Sequence, residues 1–397
     1  MKLYNAKVEC AAPAVVLDDM ILTKDLPTTA GSRMLSGYMS LFDAEVISRL
    51  AKAGYAVRGK AAVGEFGVDL MGESSVSGAI YKDGALVSAA HEIVLSGEVK
   101  AAICLDVNGS VRRASAQSGL VSVKPTYGTV SRFGTIPAAC SGECVSVVAA
   151  SAAECREVLS VINGHDDKDG TSLSEQTCRS ALEAGKAPTR VAIIGDFLDG
   201  ISADVKEKLD LAAASFERSG AVVETISAPE LSAARAAWNI LMSAETCNNV
   251  SRYDGVKFGY RSESFMGLDE LYTKSRSEAF GALLKSVIIY GSETLSTENY
   301  MKVYDKALRV RRVIVEKLSK IFESYDLVLT PATSEMKYTK EAIEACPDMA
   351  FTENLYTAPA SISGFPAVVA GGVMLMGGTF SEGKLLTAAE LIEGEGR

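Results

Sequence analysis

Ser110 closes the stretch Asp106-Val107-Asn108-Gly109-Ser110, directly behind the apolar run Ala101 to Leu105. Small residues and a serine on a tight turn bring backbone N–H groups together beside a hydroxyl. Acyl transfer uses that arrangement: a nucleophile next to a site for an oxyanion. Gly-Ser turns are common loops, so this stretch alone only nominates Ser110. His91 and Lys100 are candidate bases for it. His91 reads more readily as a partly exposed helix histidine, and Lys100 as a charge favoured by the end of a helix dipole. Cys140 and Cys144 are the one close cysteine pair, and zinc would need two more clustered ligands, so no metal site is expected. The pairs Gly371-Gly372 and Gly377-Gly378 match no phosphate-binding spacing and read as strand kinks, so no cofactor is expected.

The elements that must position Ser110 alternate between strand and helix patterns. Ala44 to Ala53 has a helical stripe with Asp43 as cap, and Ala56 to Arg58 follows as a strand. Ala89 to Val99 has helical composition, and Ala101 to Leu105 suits a buried strand. Helices are predicted over Ala152 to Ile162, Asp204 to Ser219 and Tyr300 to Phe322. Strands are predicted over Arg190 to Ile194, Ala221 to Ile226 and Leu327 to Leu329, with a glycine-broken pair over Ala367 to Met376. A polar connector covers Gly164 to Ala187. The order implies an α/β architecture with a largely parallel or mixed sheet covered on both faces. Arg309, Arg311 and Arg312 read as a solvated face of the long helix rather than a nucleic-acid patch.

Composition removes several classes of function. The 397 residues are 48% apolar, enough for a large core, and carry a net charge of −10 with no long basic run. A chain that grips nucleic acid directly is therefore not expected. No window approaches the roughly 18 consecutive apolar residues of a membrane-spanning helix. The first nine residues lack an apolar signal core, and eight cysteines are ordinary for a reducing compartment, so a cytoplasmic location is expected.

Longer stretches carry a resemblance. Val121 to Gly134, with Lys124-Pro-Thr-Tyr-Gly128 at its centre, resembles the segment behind the nucleophile in amidase-signature enzymes. Further matches are Leu26 to Leu35, Gly59-Lys60 with Glu65-Phe66, Gly164-His165-Asp166, Ser251 to Arg261, Ser275 to Glu278 and Pro359 to Pro366. Within the family they are most similar to the GatA-like subunits of glutamine-dependent tRNA amidotransferases. The resemblance implies one domain over 1–397, shortened at both termini and in the loop before residue 84. It also implies the amidase-signature fold, a central mixed, mostly parallel sheet with helices on both faces.

The family's chemistry uses a serine nucleophile, a bridging serine in a cis peptide, and a neutral lysine, hydrogen-bonded in line. Ser110 matches the nucleophile. An ungapped register from Gly84 to Ser110 puts Leu86 in place of the bridging serine; a two-residue slip onto Ser88 needs a compensating gap. Asp18 stands in place of the lysine, while Lys24 and Lys60 fall on other motif positions. The oxyanion turn becomes Val107, Asn108 and Gly109, with a family glycine lost at Asn108. Downstream, an aspartate becomes Glu143 and a Gly-Pro is missing. For substrate, Tyr260 and Arg261 keep the pattern, Val287 falls on the helix where an arginine holds the glutamine carboxylate, and Asn354 replaces the aspartate that holds its ammonium. The expectation is an impaired GatA-like binding or scaffold paralogue; the alternative is an active amidohydrolase, or a glutamine amidotransferase subunit for tRNA-dependent amidation, with Ser110 as nucleophile. B-like and C-like amidotransferase subunits are the expected partners, with a small amide as ligand and no membrane.

Overall fold

Runs of β-branched and small apolar residues build one eleven-stranded sheet. In the computed structural model, which describes residues 2–10 and 13–393, its order across the sheet is Tyr4–Lys7, Ala56–Ala61, Ala14–Asp18, Ala101–Asp106, Cys144–Ala149, Val121–Lys124, Ala367–Ala370, Val373–Met376, Leu327–Thr330, Arg190–Ile194 and Val222–Ile226. Every residue of the strands from Ala14–Asp18 through Leu327–Thr330 in that order is buried, so both faces are covered. Six neighbouring pairs are antiparallel and four are parallel. The sheet is mixed as expected, but antiparallel pairs dominate, against the mostly parallel reading. Parallel pairing is confined to the two flanks. The central strands are buried throughout and largely apolar, because both faces are covered, and that near-continuous pattern imitates a parallel strand.

Local signals set most element ends. Ser151 caps Ala152–Ile162 by accepting from Glu154 N, and Ser202 caps Ala203–Arg218. The first predicted helix begins at Glu45 with Ala44 at its cap. Asp43 instead accepts from the Lys24 backbone N–H at 2.8 Å and pairs with its ammonium at 3.2 Å. The connector holds a short helix, Glu175–Ala181. The long helix starts with a π turn, Tyr300–Tyr304, before Asp305–Phe322. Arg309 and Arg312 are exposed in i,i+4 pairs with Asp305 and Glu316, while Arg311 donates to the Ser141 carbonyl. No helix among the described residues is long and apolar enough to cross a membrane.

Two features frame Ser110. The strand Ala101–Asp106 runs through Val107 and Asn108 into Gly109 and then into the helix Ser110–Ser118. Gly109 has φ +81°, and a Cβ there would lie 2.3 Å from Thr357 Oγ1, so only glycine fits. Facing it, Tyr81–Lys82 and Ala85–Leu86 form a hairpin closed by Asp83-Gly84, both at positive φ.

Candidate functional site

A cavity of about 30 Å³ opens at Ser110, room for one or two water molecules. Its lining includes Asp18, Asp69, Ser88, His91 and Cys104. Ser110 is half-buried, and no described residue hydrogen-bonds its hydroxyl. Asp18 ends the strand Ala14–Asp18, and both its oxygens are occupied: Oδ1 accepts from Met20 N at 2.9 Å and Oδ2 from Leu105 N at 2.5 Å. Burial pushes its pKa up to about 7, against the pull of those two N–H groups and of Lys60. Asp69 rises to about 8, through burial and then the charge of Glu73. Its carboxylate lies so close to Gly64 that a Cβ there would be 1.9 Å from Oδ2.

Among the described residues, no lysine lines this cavity. Lys60 is buried, but its ammonium bonds the Ile21 carbonyl and Thr28 Oγ1, and burial lowers its pKa to about 8. Lys24 and Lys100 are engaged at the surface by Asp43 and Glu157. Two carboxylates beside a serine oppose the oxyanion of acyl transfer once they ionise, and an acid already holding two N–H groups is a poor partner for a hydroxyl.

The other expected positions divide. Asn108 and Asn354 meet under the Ser110 turn: Asn354 Nδ2 donates to Asn108 Oδ1 at 2.8 Å, and Trp238 Nε1 donates to the same oxygen at 3.1 Å. Asn108 Nδ2 donates to the Val68 carbonyl at 2.9 Å. Asn108 keeps a negative φ, so the residue type costs the backbone nothing. The Gly109 N–H donates to Asp106 Oδ1 at 2.8 Å, so this group is spent inside the turn. Val107 is fully buried in the core. Tyr260 donates to Glu278 at 2.6 Å and Val287 is buried on the helix Ala282–Thr294; neither lines the cavity. Leu86 is turned away, into an apolar cluster with Leu70, Met71, Ala114, Tyr338 and Ala350. Ser88 is the residue that reaches the cavity from this segment, and His91 is buried rather than partly exposed.

Beneath Ser110 the polar groups are saturated. Arg112 and Asp106 form a fully buried ion pair at 2.7 Å, and Arg112 also donates to the Thr357 carbonyl and Ser361 Oγ, each at 2.7 Å. Arg113 donates to the carbonyls of Leu70 and Asn108, at 3.2 and 2.8 Å. Sequence reading missed Asp69 and the Ser88–His91 contact. The Asp83-Gly84 pair was the available signal: it predicts a hairpin turn, which sets which later residue faces Ser110.

The family described as Amidase matches residues 14–82 and 88–386. The chain belongs to the amidase signature family. The GatA subunit of glutamyl-tRNA(Gln) amidotransferase from Lachnoclostridium phytofermentans is 34% identical, covering 96% of this chain and 83% of that protein. Its Streptococcus pneumoniae counterpart is also 34% identical, covering 96% and 82%. The crystal structure of the Thermotoga maritima GatA subunit superposes with a TM-score of 0.81 at 26% identity, covering 98% and 87%. This amidase-signature chain is thus GatA-like over nearly its whole length. The family match omits residues 83–87, the hairpin turn and Leu86, and resumes at Ser88.

Proposed function

We propose that the chain is a single-domain, catalytically impaired GatA-like protein acting as a binding or scaffold paralogue in the cytoplasm, with B-like and C-like amidotransferase subunits as partners. One observation supports it above the rest: the cavity at Ser110 is lined by the Asp18 and Asp69 carboxylates and, among the described residues, by no amine. A serine nucleophile needs a base aimed at its hydroxyl, and acyl transfer needs donors where negative charge develops. Val287 and Asn354 also offer no charge to the two ends of a free glutamine. The test is glutaminase assay of the purified chain, alone and with a B-like subunit. Binding without turnover is expected; a rate that vanishes in Ser110→Ala overturns the proposal.

A second reading, an amidohydrolase using Ser110, draws support from Ser88 and His91 on the same cavity wall. Labelling of Ser110 itself by a fluorophosphonate would favour it.

A further inference from the structure

Ser88 stands at the N-cap of the helix Ala89–Leu95, where a serine oxygen normally accepts a backbone N–H. No such bond forms. Its hydroxyl lies instead 2.9 Å from Nδ1 of His91. The contacts on the far side of the ring assign the direction of that bond. Ser115 donates its single hydroxyl hydrogen to the Val111 carbonyl at 2.9 Å. Its 2.9 Å contact with His91 Nε2 must then be one in which the ring N–H donates. A neutral imidazole has one ring hydrogen, so Nδ1 carries a lone pair and Ser88 donates to it. Burial keeps the ring neutral, lowering its pKa to about 4.

Hydroxyl, base and orienting group in hydrogen-bonded sequence are what an activated serine requires. Ser88 and His91 also line a second pocket, of about 240 Å³, which Ser110 does not line. Met71, Leu86, Val87, Leu95 and Ala114 give it an apolar wall; its charged lining is Lys82, paired with Glu92 at 2.7 Å, together with Asp83 and Lys337. That wall suits an uncharged acyl chain.

We propose that Ser88 is an acyl-accepting nucleophile, with His91 as its base and Ser115 as a positioning residue, acting on short-chain activated esters in this pocket. Ser88 Oγ bonds to the carbonyl carbon while its proton passes to His91 Nδ1. The bond to the leaving alcohol breaks, and the alcohol departs with that proton. Water then attacks acyl-Ser88 by the same route, releasing the carboxylic acid and restoring the serine. The proposal goes beyond the scaffold reading and does not depend on it.

The test uses the full chain, a fluorophosphonate probe and p-nitrophenyl acetate. Trypsin separates Ser88, in peptide 83–100, from Ser110, in peptide 101–112. Phosphonylation at Ser88 is expected, with loss of both label and ester hydrolysis in Ser88→Ala while the variant still unfolds in one cooperative transition. His91→Gln should slow ester hydrolysis by about 100-fold. The wild-type rate should stay flat from pH 5.5 to 8, and in His91→Gln it should rise with hydroxide. Ser115→Ala should bend that flat region, which a purely structural role would not do. A folded chain with no label on peptide 83–100, or with equal rates in wild type and Ser88→Ala, overturns the proposal. Label confined to peptide 101–112 overturns it and the impaired reading of Ser110 as well; label on neither peptide overturns it alone. If His91→Gln does not fold, the Ser88→Ala comparison decides.

Discussion

The two ends of a single helical turn differ sharply. Ser110, at the start of the helix Ser110–Ser118, has no described hydrogen-bond partner for its hydroxyl. Two and three residues on, Arg112 and Arg113 are fully buried, and between them they hold Asp106, Thr357, Ser361, Leu70 and Asn108. One helical turn thus holds both fully buried, multiply bonded arginines and a half-buried serine hydroxyl with no described partner.

Breaking the anchored end should cost most. Arg112→Met leaves the Asp106 carboxylate buried without its ion-pair partner, a loss of about 3–5 kcal/mol in denaturant unfolding; a loss below about 1 kcal/mol would erase the contrast. Next comes Asp18→Ala, which strips the Met20 and Leu105 N–H groups of their acceptor and should cost about 1–3 kcal/mol. That cost depends on pH. The folded pKa of Asp18 is raised from 3.8 to about 7, so its contribution is complete below pH 3.8 and is lost as pH rises through 7. The variant should therefore lose more stability at pH 4 than at pH 8.

His91 supplies a slope of the opposite sign. Its folded pKa falls from 6.5 to about 4, so the unfolded chain binds the extra proton between those values, and stability falls as pH drops from 6.5 to 4. His91→Gln should flatten that limb in a pH series of unfolding midpoints. The smallest effect belongs to Ser110→Ala. With no hydrogen bond to lose, it should stay within about 0.5 kcal/mol of wild type and leave partner binding intact. A larger change, read by calorimetry and co-purification, would mean that Ser110 has a partner after all.

Sequence patterns revealed most where one local rule governs. Ala152–Ile162 and Arg190–Ile194 have the ends the sequence predicts, because a serine cap and a short β-branched run act alone there. Strand direction was hidden, since burial on both faces removes the alternation that marks an antiparallel pair. Asp43 satisfies a backbone N–H elsewhere in the chain instead of capping the adjacent helix, a choice set by tertiary contacts. At the site, Ser110 and Asp18 were visible as motif positions. Asp69 was not, because its carboxylate reaches the cavity only by lying against Gly64.

One pairing bears on how the protein is made. Val121–Lys124 sits mid-sheet against Ala367–Ala370. While the ribosome is still producing the intervening 242 residues, that strand's outer edge has no neighbour, and its unmatched amides can pair with another nascent chain. The sheet therefore closes only after Ala367–Ala370 has been made, and its ordering is governed by a distant contact that folds slowly.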